Sequence, residues 1–182
     1  MRRLDMLARM TNAKSLMKTE EKQAVIDLFE QIESQSKQYF DDLKEEVNYK
    51  ARGGLDIIQT FNDLSDQIEN RWTGWNGLLA IIMASWFFID CIAELGARRW
   101  ISRKHEKLYV SQLYTNLYAR LRSNTWDMIR SENWDSLMRF ITRLQTESSN
   151  AKTILIAASI ATLTLLRLKY PRYDFTVYEI SL

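Results

Sequence analysis

A chain of 182 residues and 21.6 kDa is bounded to one domain, or to a helical domain with membrane anchors. One proline and five glycines leave little of the punctuation that sheets and hairpins need, and a net charge of +2 is too balanced to point to nucleic acid or another polyanion. A single cysteine, Cys91, excludes an internal disulfide framework or a cysteine-rich metal site, and a single histidine, His105, removes most histidine chemistry.

The fold class expected is therefore all-α: membrane-associated amphipathic helices with one or two transmembrane helices. Residues 1–72 form the first amphipathic region. Its opening, MRRLDMLARMTNAKSLMK, sets Arg2, Arg3, Arg9, Lys14 and Lys18 against Asp5 alone. That bias suits a mitochondrial presequence and a retained basic first helix equally; no secretory signal pattern is present. Over residues 21–50, Val25, Leu28, Phe29, Ile32, Phe40, Leu43 and Val47 recur mostly at three- and four-residue spacing, the signature of an amphipathic helix. Gly53 and Gly54 break it, and a second stripe follows at Ile57, Phe61, Leu64, Ile68 and Trp72.

Residues 73–97 contain an uncharged run, 77–89, of thirteen residues. A membrane span needs about twenty predominantly apolar residues, whereas runs of roughly 10–14 are more often core or interfacial. The segment is thus a transmembrane helix or a buried core helix. Asp90, Glu94 and Arg98 follow at four-residue steps, which puts them on one face and lets Arg98 pair with Glu94. The acidic pair reads as a headgroup boundary or partner contact in preference to an ion pathway.

Residues 98–150 are basic: residues 98–152 carry 11 Lys or Arg against 5 Asp or Glu, where residues 1–72 carry 11 against 14. Two further amphipathic helices are expected within 108–144, with Tyr109, Tyr114, Tyr118, Trp126 and Trp134 as interfacial or core aromatics. Residues 151–170 include fourteen uncharged residues, 153–166, and form a transmembrane helix if Lys152, Arg167 and Lys169 snorkel. Ala157, Ala161 and Thr162 would let a second helix approach closely. Residues 171–182 begin with the only proline and read as a short extended tail.

The sequence has no phosphate-binding glycine loop, zinc helix motif, C-x-x-C pair or nucleophile elbow. Neither catalysis nor a cofactor is expected, although a bound phospholipid is compatible with the pattern. His105 lies in a charged stretch and reads as a surface residue. Cys91 reads as a buried thiol with a raised pKa, and Asp41, Asp42, Glu45 and Glu46 as a solvated helix face.

Three collinear features resemble the multidomain Bcl-2 family. Trp75, Asn76 and Gly77 open an apolar helix much as the family's Asn-Trp-Gly-Arg motif does. The stretch WDMIRSENWDSLM, 126–138, is similar to the second homology region with its paired tryptophans, and an apolar anchor lies near the C-terminus. Separately, Ile57, Phe61, Leu64, Ser65, Asp66 and Ile68 match the spacing of a BH3 helix. The family arginine is replaced around Gly77 and Leu78, the Gly-Gly before the second tryptophan is absent, and the BH3-like helix lies close to Trp75. The resemblance implies a tail-anchored regulator of apoptosis at the outer mitochondrial membrane, acting through a BH3-type helix and a groove.

The leading expectation from the residues themselves is a non-catalytic accessory or scaffold subunit of a membrane complex, of respiratory-chain or ATP-synthase type, in the mitochondrial inner membrane. Its partners would be other membrane subunits and the lipid bilayer, with no nucleic acid and no small-molecule substrate. Ile57, Phe61, Leu64, Asp66, Ile68, Ala157, Ala161 and Thr162 are the expected partner-binding residues. Trp75, Trp86, Arg98, Arg99, Trp100, Arg167, Lys169 and Tyr170 are expected at the membrane interface. A third class, an enzyme or transporter using Asp90 and Glu94 inside the membrane, has least support.

Overall fold

The computed structural model describes residues 19–35, 37–72 and 74–146. These form five helices: α1 (Thr19–Gln35), α2 (Lys37–Arg52), α3 (Ile57–Arg71), α4 (Gly74–Ala97) and α5 (Arg103–Thr146). There is no strand among the described residues. The basic N-terminal segment, the C-terminal apolar segment with Ala157, Ala161, Thr162, Arg167, Lys169 and Tyr170, and the tail lie outside them, as do the side chains of Trp126 and Trp134.

Two expected boundaries are corrected. The amphipathic pattern over 21–50 belongs to two helices. Its stripe lapses between Ile32 and Phe40, where Ser34, Gln35, Lys37 and Gln38 offer no apolar side chain to the core. Conversely, the two helices expected within 108–144 are one. Residues 103–146 contain neither glycine nor proline, so nothing in the sequence forces the backbone out of its hydrogen-bond ladder.

The junctions have local causes. Gly54, at φ +98°, closes α2: its N–H bonds Ala51 O at 3.2 Å and that of Leu55 bonds Lys50 O at 3.0 Å, the paired pattern of a Schellman cap. Asp56 then caps α3 by accepting from the N–H groups of Ile58 and Gln59, both at 3.0 Å. Lys50 and Arg52 in the last turn of α2 complement its dipole.

α4 organises the bundle. Every residue from 77 to 89 is buried, and 17 of its 24 residues are buried in all. More than three helical turns are therefore enclosed on every side, which is where a helix apolar all round is stable. Its walls are the apolar stripes of the other four helices. Phe29 of α1 packs edge-on against Trp86 with ring centroids 4.7 Å apart, and Phe40 of α2 lies 6.2 Å from Phe87. Phe61 of α3 meets Phe88 at 6.0 Å. α5 runs back along α4, its Glu106 beside Gly96 at one end and its Ser136 beside Trp75 at the other. Full burial of one such aliphatic or aromatic side chain is worth about 1.5–3 kcal/mol. By length and composition alone α4 is also long and apolar enough to cross a membrane: 24 residues, about 36 Å of helix. The buried hydroxyls among these stripes are satisfied within their own helices, Ser65 by Phe61 O at 2.8 Å and Ser85 by Ile82 O at 2.7 Å.

Gly77 sits where the chain from α3 enters α4. A Cβ there would lie 2.5 Å from the Trp72 carbonyl oxygen, which is backbone and cannot rotate away. An alanine in place of a mid-helix glycine ordinarily gains up to about 1 kcal/mol. Gly77→Ala is expected to do the reverse and destabilise the bundle by about 1–3 kcal/mol in chemical denaturation, through overpacking.

Candidate interaction surface

The structure separates the expected partner-binding residues by face. Ile57, Phe61, Leu64 and Ile68 are all buried at 5% exposure or less and form the inner stripe of α3. In this fold they are occupied by intramolecular packing. Of the five on α3, Asp66 alone is exposed, and it is half of a latch to α5. Arg120 Nη1 lies 2.7 Å from Asp66 Oδ1 and 3.1 Å from Glu69 Oε2, while its Nη2 donates to the Asn62 carbonyl at 3.1 Å. One turn away, Asn116 Nδ2 donates to Asn62 Oδ1 at 3.0 Å. The spacing of α3 marks its apolar face, but its partner on α5, more than fifty residues away, has no local signature.

The expected interfacial residues also divide. Trp75 and Trp86 are buried within the chain: they are 6% and 2% exposed, and the Trp75 indole N–H donates to Ser136 Oγ at 3.0 Å. A large ring with one polar handle suits a helix junction as well as a bilayer boundary. Arg98, Arg99 and Trp100 are exposed and lie together at the α4–α5 corner. Arg98 pairs with Glu94, as the four-residue spacing implies.

The corner is shaped by a second Schellman cap. Arg99 N–H bonds Gly96 O at 3.1 Å and Trp100 N–H bonds Leu95 O at 2.9 Å. Arg99 occupies the left-handed position at φ +59°, where the equivalent cap of α2 uses Gly54. A side chain there costs about 1–2 kcal/mol, and its backbone conformation is unusual enough to draw attention to the exposed arginine. Trp100 lies between Arg52 and Arg98, whose guanidinium carbons are 4.4 and 5.0 Å from its ring centre. Ser102 then opens α5, with its Oγ 3.3 Å from the His105 N–H and 3.0 Å from Nδ1 of the same residue. Beneath Trp100 is a cleft of about 530 Å³, walled by Leu55, Ile58, Leu95, Ile101 and Tyr109. A second cleft of about 420 Å³ on its other flank carries Asp42, Glu45 and Glu46. Asn48 in that wall is 1% exposed and its amide has no hydrogen-bond partner among the described residues.

Other candidate chemistry is dispersed. Burial raises the Cys91 thiol far above its ordinary range, so it persists as a thiol and not a thiolate. Among the described residues, no group of three His, Cys, Asp or Glu side chains is placed to hold a metal ion. Asp90 is half-buried in a cleft that also contains Lys37 and Lys44.

Arg120→Ala should release the α3–α5 latch. Because Arg120 is mostly buried but Asp66 is largely exposed, the loss is expected to be about 1–2 kcal/mol. Hydrogen exchange should then accelerate in α3 more than in α2, and equal change in both would rule out a local latch. Compared with known proteins, the chain matches no family model, no curated protein and no solved structure.

Proposed function

We propose that this chain is a non-catalytic helical bundle tethered to a membrane by its C-terminal apolar segment, and that it regulates through protein contact in the manner of the Bcl-2 family, whose motifs residues 75–77 and 126–138 resemble. The observation that carries this reading is the enclosure of residues 77–89 by the chain's own helices. Apolar stripes too numerous for one small core would call for partner subunits to cover them. The stripes of α1, α2 and α3, together with Leu113, Leu117, Leu137 and Ile141 of α5, belong instead to one hydrophobic cluster around α4. The need for partner subunits to cover them is correspondingly reduced. Trp75 and Gly77, two residues of the motif on which the resemblance rests, both have packing roles at the start of the central helix.

In this reading the BH3-like stripe of α3 is sheltered while the bundle is closed. A partner reaches it only when α3 leaves α4 and the Arg120 latch opens. The site of action would be the outer mitochondrial membrane, with the bundle on its cytosolic face.

Residues 1–146, without the C-terminal apolar segment, are expected to be monomeric, helical and soluble in the absence of detergent. Aggregation or partitioning into vesicles would instead favour a spanning α4 and restore the accessory-subunit reading. The regulatory part has its own measurement: expression of the full chain in cells should change the stimulus needed for cytochrome c release, with the protein located on mitochondria. An unchanged threshold in such cells would reject that part while leaving the bundle intact.

A further inference from the structure

We infer that the α4–α5 corner is a second membrane contact, a docking surface for an anionic phospholipid bilayer that is separate from the C-terminal apolar segment. Six cations, Arg52, Arg98, Arg99, Arg103, Lys104 and Lys107, are gathered at this corner of a chain whose total net charge is only +2. Glu94 pairs with Arg98, Arg52 and Arg98 share a cleft with Asp42, Glu45 and Glu46, and Glu106 lies against Gly96, which leaves Arg99, Arg103, Lys104 and Lys107 as the exposed cations of the α4–α5 side.

The apolar groups among the cations select the partner. Trp100 and Leu108 are 38% and 47% exposed, two of the few large hydrophobic side chains exposed among the described residues. Both line the cleft beneath the corner, whose wall is part apolar, with Ile101 and Tyr109, and part polar, with Asp56, His105 and Gln112. Arginine heads over an exposed indole, with aliphatic groups below, suit the headgroup boundary of a bilayer, where cations meet phosphate and the ring and cleft meet the upper acyl region. A nucleic acid would use the cations but not the cleft. The neighbouring flank that carries Asp42, Glu45 and Glu46 limits the surface to the α4–α5 side of Trp100. Each lysine or arginine held near an anionic surface strengthens binding about fivefold.

This inference rests on α4 being the core helix of a closed bundle, so the test reads both. The full chain is reconstituted into vesicles of phosphatidylcholine, or of phosphatidylcholine mixed with phosphatidylserine. Exposed lysines are acylated with a water-soluble reagent, and a lipid-soluble diazirine is photolysed in parallel samples; modification is mapped by mass spectrometry. Acylation of Lys104 and Lys107 should fall about fivefold in the anionic vesicles and recover in molar salt, while Lys37, at the far end of α2, keeps its reactivity. The variant carrying Arg99→Gly, Arg103→Gln and Lys107→Gln should lose the protection of Lys104. It retains the fold because Arg99→Gly relieves the left-handed strain, and circular dichroism checks that.

Equal acylation of Lys104 in the two vesicle types overturns the inference and leaves the bundle standing. So does protection by an RNA oligonucleotide without protection by phosphatidylserine, which would give the corner to a nucleic acid. Diazirine labelling within Gly74–Ala97 overturns the closed bundle and this docking surface together.

Discussion

The enclosure of α4 is the constraint on which the rest of the structure depends. A helix with no polar face cannot lie against water, and one with thirteen consecutive uncharged residues must be surrounded by protein or by lipid. Here protein does the surrounding. That requirement explains why four other helices are amphipathic, why their stripes converge, and why aromatic residues on α1, α2 and α3 meet Trp86, Phe87 and Phe88 in succession along one helix.

A closed bundle of this kind separates two kinds of surface. Inside are the residues with the strongest sequence signal, including the BH3-like stripe and two of the tryptophans. Outside are a polar latch that ties α3 to α5 and a basic corner where α4 turns into α5. The latch is polar and partly solvated, so its contribution is modest beside that of the packed stripe. The packed stripe, more than the latch, therefore holds α3 in the fold. The corner is built on a cap that tolerates arginine where glycine would fit more easily, which keeps a cation projecting at the point where the chain reverses.

Some features follow from composition and spacing without any tertiary knowledge. The scarcity of proline and glycine, the apolar stripes, the Gly53-Gly54 break and the Glu94–Arg98 pair are local. They depend on interactions within about one helical turn or on the absence of helix-breaking residues. The all-helical character and the positions of α3 and α4 are legible for that reason. The break between α1 and α2 was obscured because polar residues can continue a helix or end it equally well. The continuity of α5 is obscured because the apolar pattern lapses between Leu121 and Trp126, where Arg122, Ser123, Asn124 and Thr125 can likewise continue a helix or end it.

What the sequence by itself determined is which residues are apolar enough to be withdrawn from water and which periodicity withdraws them. What only the tertiary structure decided is which of these residues pack against one another. The same run at 77–89 satisfies a bilayer or a protein interior, because each offers an apolar environment and helical hydrogen bonding satisfies the backbone in both. Trp75 and Trp86 share that property, and their neighbours Ser136 and Phe29 come only from the tertiary fold. Arg120 became a latch residue only when α5 folded back past Asp66 and Glu69, since a pairing across more than fifty residues depends on the path of the chain and leaves no periodic trace in it.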